Sequence, residues 1–467
     1  MPFVVLVIGI AIVMTAIIAF EVHPFLALVL ATMIVGILSP KPLEPGGADL
    51  QAVRAVELTA QGFGVTAGGI GIVIVLAAII GQCLLESGAA DRIVRSFLEL
   101  LGDKRAGLAL MGSGYVLSIP VFFDTVFFLL VPLARSLRLR TGRCYALYVS
   151  AICAGALVTH SLVPPTPGPL FMAETFELPL GTAILGGALL GLAPAFFGLA
   201  VSGWIDRRLD VPLRDVPGTE RKELEAIARR DASELPGLFV SLLPVAVPVG
   251  LISIHSILEA SLRSAGRPAL QALLDWSGFF GDKNMALLAG SFIAAWLLRR
   301  TQSLSVKQLG LRLEPAVASA GVIILITSAG GAFGQMLSRI GIDESLSQIS
   351  WMGGGKGMLV LAWAIAAVMK IAQGSGTVAM ITASAIVAAM IPDHTALDFH
   401  VIYLFAAIGF GSAVFSWMND SGFWVVSKMG GLTEPETLRV WTFVVASVGV
   451  FGLIEVLALA SLFPLAG

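Results

Sequence analysis

The sequence predicts an all-α membrane protein of two inverted repeats, each with about five transmembrane helices plus one re-entrant hairpin, and with broken helices at the midplane. Three observations carry that expectation. Hydrophobic residues make up 57% of the 467 and charged residues only 13%, about half the charge of an ordinary soluble protein. Long apolar segments alternate with short loops whose charges differ in kind. Four of those segments are interrupted by residues that break helices, two in each half of the chain.

A helix needs about 20 apolar residues to cross the hydrocarbon core. Apolar segments fall at 3–20, 24–39, 64–86, 106–134, 145–178, 180–203, 236–258, 284–298, 315–338, 358–391, 399–427 and 440–463. With a mean hydropathy of +0.91, the chain cannot cover a globule with polar surface, so these segments read as one membrane domain with the lipid bilayer as partner. The run 3–20 lacks a basic flank and a second apolar run follows at once, so no cleavable leader is expected. A net charge of −2 gives no basic field for nucleic acid. Cys83, Cys144 and Cys153 have no ligand-like spacing and read as small hydrophobes, so neither metal nor cofactor is expected.

Loop charge orients the spans. The stretch 135–143 holds Arg135, Arg138, Arg140 and Arg143 without an acid. The longest polar loop, 204–235, carries Arg207, Arg208, Arg214, Arg221, Lys222, Arg229 and Arg230, and a third basic loop carries Arg299, Arg300, Lys307 and Arg312. All three are expected in the cytoplasm. The loop 204–235 reads as a linker with an amphipathic surface helix and solvated charges, dividing an N-terminal half, 1–203, from a C-terminal half, 236–467. The region 391–400, with Asp393 and Asp398 but neither Lys nor Arg, is expected outside. The protein is placed in the inner membrane with both termini in the periplasm.

The loop 87–105 contains Arg92, Arg95, Lys104 and Arg105 balanced by acids. If both its flanks are cytoplasmic, 106–134 enters and leaves on one side as a re-entrant hairpin. Its break is Ile119-Pro120-Val121-Phe122-Phe123-Asp124, where proline removes a donor. The block 358–391 has the same shape, broken at Gln373-Gly374-Ser375-Gly376-Thr377. Thr125-Val126 falls on Thr377-Val378, and Ile119 on Ile371, at one displacement. Gly81-Gln82 and Gly88 fall on Gly334-Gln335 and Gly341 at a displacement one residue larger. The other two breaks lie at His160–Gly168 and Ser416–Gly422. An odd number of crossings in each half inverts the second relative to the first.

Irregular backbone at membrane depth survives only where protein or water satisfies it. Four breaks therefore point to one shared cavity. Helices that restart there aim free N–H groups and a partial positive charge into it, so an anion is the natural guest. Gly374-Ser375-Gly376-Thr377 adds two hydroxyls and closely approachable backbone, although the same glycines also suit plain helix packing.

Charges inside spans cost about 2.5–3.5 kcal/mol each by insertion scales. Lys370 either supplies a cation for a substrate carboxylate or pairs with an acid, or snorkels, to hold the hairpin in place. Asp124 either carries a coupled proton or caps the helix restarting at Thr125, and Asp420 has the same two readings. His160 either titrates or is structural. Asn419 and Ser421 read as partners for hydroxyls, beside Gly422. His23 reads as part of a tight turn with Pro24. No Walker loop, nucleophile elbow or metalloprotease helix is present. The polar residues lie at mid-depth and not at one interface, which argues against a membrane enzyme acting on a lipid acid.

These residues resemble the gluconate:proton symporter (gluconate permease, GntP) family across nearly the whole chain. The resemblance is carried by His23-Pro24-Phe25-Leu26-Ala27, Ile119–Asp124, His160-Ser161 with Pro164-Pro165-Thr166-Pro167-Gly168-Pro169, Ala372-Gln373-Gly374-Ser375, and Asn419-Asp420-Ser421-Gly422-Phe423-Trp424. It implies the two-repeat fold of the ion-transporter superfamily. It also implies proton symport of gluconate or a related sugar acid, with glycerate and D-serine as other substrates within the family. A sodium-coupled carboxylate carrier of the same fold is the alternative. Lys370 and the amides of Gln373, Gly374, Ser375, Gly376 and Thr377 are then expected to hold the carboxylate, and Thr166, Asn419 and Ser421, beside Gly422, the hydroxyls. Asp124, His160 or Asp420 is expected to carry the proton. The family pattern has Glu at the position of Asp124 and usually Arg at that of Lys370, so each keeps its charge but changes its geometry. Carriers of this architecture are often dimers, which makes a second copy a candidate partner.

Overall fold

Interrupted helices organise the molecule. The computed structural model describes residues 2–40, 42–43, 50–214, 235–262, 271–340, 355–391, 397–418 and 420–465, and among them the chain is helical without a strand. In chain order come α1 (Pro2–Ile18), α2 (Pro24–Ile37), α3 (Gln51–Glu86), α4 (Ala89–Leu101), α5 (Ala106–Leu117), α6 (Phe123–Thr141), α7 (Tyr145–Leu162), α8 (Pro167–Thr175) and α9 (Leu180–Asp206). After the linker follow α10 (Leu238–Leu262), α11 (Gln271–Gly281), α12 (Lys283–Gln302), α13 (Val306–Arg339), α14 (Gly357–Gln373), α15 (Gly376–Met390), α16 (Val401–Gly411), α17 (Ser421–Gly430), α18 (Glu434–Thr437) and α19 (Phe443–Leu462).

All four expected interruptions are present, between α5 and α6, α7 and α8, α14 and α15, and α16 and α17. Helix length shows what they do. With 12, 9, 11 and 10 residues, α5, α8, α16 and α17 reach roughly 14–18 Å, about half the hydrocarbon core. By length and composition, six helical segments among the described residues can cross a membrane, Gln51–Glu86, Leu180–Asp206 and Val306–Leu337 among them.

One pattern of contacts occurs twice. In the first, Gly155 of α7 lies against the Met111 carbonyl of α5, and Tyr115 of α5 donates to the Ala188 carbonyl of α9. In the second, Gly411 of α16 lies against the Trp363 carbonyl of α14, and Trp363 donates to the Gly449 carbonyl of α19 at 3.0 Å. A missing Cβ lets each pair of backbones close, which is how membrane helices gain packing energy without a hydrophobic drive.

Several expectations are corrected. The segment 87–105 is not a loop: it forms α4, started by Gly88 at φ 77 and burying Ile93 and Val94. Its 3.6-residue apolar spacing outweighs its balanced charges. Arg135 and Arg138 are likewise no loop residues but stand in the last turns of α6, and Arg135 is only 1% exposed. The linker charges are not all solvated, since Arg214 holds Glu436 through both carboxylate oxygens, at 2.6 and 2.9 Å. Helices α3 and α13 extend beyond their apolar cores by including polar ends such as Arg54 and Arg312. His23 caps α2, its Nδ1 accepting from the Phe25 amide at 3.3 Å. Gly341, Asp393, His394, Arg221, Lys222, Arg229 and Arg230 lie outside the described residues.

Candidate functional site

Each break ends its helix for a local reason and opens the next. Helix α5 gives its last hydrogen bonds at Ser118 and Ile119. Pro120, which has no N–H, cannot continue the ladder, and α6 starts at Phe123 with no side chain capping it. The capping reading of Asp124 is thereby overturned, because the N-cap is Phe122 and Asp124 lies one residue inside the helix. Its carboxylate faces the positive end of α6 in the first turn.

Between α7 and α8 the Thr166 hydroxyl donates to the carbonyls of Val163 at 2.7 Å and His160 at 3.0 Å. That hydroxyl closes the turn and does not line the cavity described below. Between α14 and α15, Gly374 takes φ 79, a left-handed conformation that glycine adopts freely. Ser375 then caps α15 by accepting from the Val378 amide at 3.3 Å.

The fourth break binds to the third. Asp420 caps α17 through Oδ1, which accepts from the Gly422 amide at 3.0 Å. Its Oδ2 accepts from Lys370 Nζ at 2.6 Å and from the Ser416 hydroxyl. Lys370 also donates to the Gly374 carbonyl at 2.8 Å. Both ends of this pair are buried, 4% and 7% exposed, and removing one partner of such a pair costs about 3–5 kcal/mol. The capping and charge readings of Asp420 are both realised, one by each oxygen.

The four breaks meet at one cavity of about 380 Å³. Phe123, Pro167, Gly376 and Ser421 all line it, and each is the first residue of its helix, α6, α8, α15 and α17. Asp124, His160, Lys370, Ser375, Thr377, Asp420 and Gly422 line it too. His160 meets Phe122 edge to face at 6.2 Å, and its Nδ1 is buried with no hydrogen-bond partner. Gly374 supplies the turn and not the wall. The side chain of Gln373 and the whole of Asn419 lie outside the described residues.

Sequence reasoning missed part of the wall. Ser319, Ile323, Ile326 and Thr327 of α13 face the cavity, a stripe at helical spacing with a hydroxyl at each end. Trp441 was not legible. It sits in a π-helical turn, Leu438–Thr442, where it donates to Ser416 at 2.6 Å and packs on Phe123 with ring centroids 4.8 Å apart. Such turns recur at functional sites but have no sequence signature. Glu455, inside α19 and away from this cavity, also went unread; its Oε2 is buried without a hydrogen-bond partner. A second cavity, about 420 Å³, lies farther along α8, α13 and α15, beside Glu174, which pairs with Lys283.

The sequence model of the GntP family permeases matches residues 1–463. The chain belongs to that family. The permease is 31% identical to a gluconate permease of Pseudomonas aeruginosa over 448 residues, 94% of this chain and 93% of that one. It is 31% identical to the Gnt-II system L-idonate transporter of Escherichia coli K12 over 460 residues, 98% and 99% of the two chains. It is 32% identical to the D-serine transporter DsdX of Escherichia coli O6:H1 over 438 residues, 94% and 93%. Two solved structures share its fold at 16% identity. The Alcanivorax borkumensis YdaH transporter has a TM-score of 0.63 over 95% of this chain and 98% of that one. Neisseria gonorrhoeae MtrF has a TM-score of 0.60 over 95% of each. This is an integral membrane permease, not an enzyme.

Proposed function

We propose that this permease takes up gluconate, or a related sugar acid or small hydroxymonocarboxylate, by proton symport across the inner membrane. One observation carries the reading: four helices begin at a single cavity whose one cation, among the described residues, is Lys370. Helix N-termini and a buried ammonium together favour a carboxylate. At about 380 Å³ the cavity is the size of a small-molecule site.

In this reading Lys370 and the amides around Ser375 and Gly376 hold the carboxylate, and Ser375, Thr377 and Ser421 meet the hydroxyls. Thr166 acts on the substrate only indirectly, by shaping the turn. The proton is carried by Asp124, Asp420 or His160. The halves 1–203 and 236–467 are read as inverted repeats with hairpins at about 106–134 and 358–391, supported by the recurrent contacts at Gly155 and Gly411. Both termini are placed in the periplasm and the 204–235 linker in the cytoplasm.

In proteoliposomes, gluconate uptake is expected to rise with an inward proton gradient and to collapse with a protonophore. Uptake that ignores the pH gradient and follows sodium overturns proton coupling. Asp124 supports a second reading. Its carboxyl lines the cavity without a hydrogen-bond partner among the described residues, so it could meet the ammonium of D-serine. Competition by gluconate, idonate, glycerate and D-serine in one panel decides between the two.

A further inference from the structure

The cavity's cation already has partners within the protein. Lys370 gives one N–H to Asp420 at 2.6 Å and another to the Gly374 carbonyl at 2.8 Å, and among the described residues no other Lys or Arg lines the space. A substrate carboxylate therefore meets a competitor that is covalently part of the protein.

We propose that substrate binds by displacing Asp420 from Lys370, and that the displaced Asp420 carboxylate takes up the symported proton. This rests on the carboxylate reading of the substrate and adds how the two cargoes are linked. Before binding, the cavity holds Lys370 against Asp420 and Asp124. A monocarboxylate brings one more negative charge into the same low-dielectric space, where like charges repel strongly. One proton on Asp420 returns the cavity to its starting charge. The proton comes from the side on which the cavity is open, forms an O–H bond to the carboxylate, and breaks no other covalent bond of the protein or the substrate.

The surroundings of Asp420 suit both states. Oδ1 accepts from the Gly422 amide, a bond that a neutral carboxyl keeps. Oδ2 faces the Ser416 hydroxyl, which also accepts from the Trp441 indole at 2.6 Å. A protonated Oδ2 turns from acceptor to donor toward that same hydroxyl, which can reorient. The other titratable groups facing this space are Asp124 from α6, His160 from α7 and Lys370 from α14, while α13 contributes only the hydroxyls of Ser319 and Thr327. Asp124 makes no hydrogen bond to Lys370 that a substrate carboxylate could displace, and it meets the arriving charge through electrostatics alone.

The test is gluconate binding by the purified full-length permease in nanodiscs, with proton uptake read by a pH dye in weak buffer. The parent should take up one proton per gluconate, with affinity falling about tenfold per pH unit on the alkaline side. Asp420→Asn should bind gluconate with no pH slope and no proton uptake. In liposomes it should exchange labelled for unlabelled gluconate without accumulating it. An unchanged pH slope and proton count in Asp420→Asn overturns the exchange. Should that variant not fold, Ser416→Ala decides: without the hydroxyl that faces Asp420 Oδ2, the pH at which gluconate affinity begins to fall should move while one proton is still taken up per gluconate, and an unmoved profile overturns the proposal. A parent that binds none of the monocarboxylates sinks the substrate reading itself, a distinct result.

Discussion

Trp441 and Ser416 are joined by an indole N–H donated at 2.6 Å to a hydroxyl that itself donates to Asp420. A residue in a π-helical turn thus holds the acid that faces Lys370. The turn also ties Thr442 to the Ser416 carbonyl, so two consecutive residues fix the fourth break from one side.

Trp441→Phe removes the donor and keeps the ring against Phe123. The variant should fold, lose about 1 kcal/mol and accumulate substrate severalfold less well. Trp441→Ala leaves a void where Trp441 is 1% exposed, and such truncations cost about 3–5 kcal/mol. Thermal unfolding in detergent, with uptake in liposomes, separates the two. Equal stability of the Phe and Ala variants contradicts the packing role.

Lys370→Gln strands Asp420 in a buried site, an expected loss of about 3–5 kcal/mol. Adding Asp420→Asn should restore most of that loss but no transport, because the cation is gone. Lys370→Arg keeps the charge and should retain uptake, with a changed preference among substrates. Yield after gel filtration and uptake measure both halves of this prediction. A double variant no more stable than Lys370→Gln contradicts the pairing.

The four breaks were legible because proline and glycine inside an apolar run have few structural alternatives. Partnership across the breaks was not. Lys370 and Asp420 are 50 residues apart, and nothing local marks either as the other's counter-ion. Thr166 was legible only in part for a related reason: sequence supplies the hydroxyl but not the carbonyls of His160 and Val163 to which it donates. Arg135 read as a loop charge because the apolar run had ended. The helix instead continues, and its Nη2 reaches the Arg214 carbonyl at 2.5 Å.

A Cβ at Gly155 would stand 2.1 Å from the Met111 carbonyl oxygen, and at Gly411 2.4 Å from that of Trp363. Backbone cannot rotate away as a side chain can. Gly155→Ala and Gly411→Ala should each cost about 1–3 kcal/mol by overpacking. Gly64 and Gly321 meet nothing within 4 Å and sit inside α3 and α13, so alanine there should stabilise by about 0.5–1 kcal/mol. Detergent melting curves of the four variants check the order. Indifference at Gly155 and Gly411 contradicts the close approach of these helices.

Arg214 joins the linker to the second half by a bidentate pair with Glu436 and a further bond to the Gly431 carbonyl at 2.9 Å. Gly431 ends α17, the helix that Asp420 begins, so the clamp holds the far end of a cavity helix. The Tyr145 hydroxyl donates to the adjacent Gly430 carbonyl at 2.7 Å, a second tie at the same point. Arg214 is partly exposed, which keeps the pair's contribution near 1 kcal/mol. Arg214→Gln and Glu436→Gln should therefore each lower thermal stability modestly, and together cost no more than Arg214→Gln alone, because the shared pair is lost in all three and only the arginine also bonds Gly431. The charge reversal Arg214→Glu with Glu436→Arg should recover only part of the loss, since Glu at 214 cannot donate to Gly431. Raised salt should narrow the gap between parent and single variants. Fully additive losses in the double variant would show that the two residues act separately, and would remove the clamp.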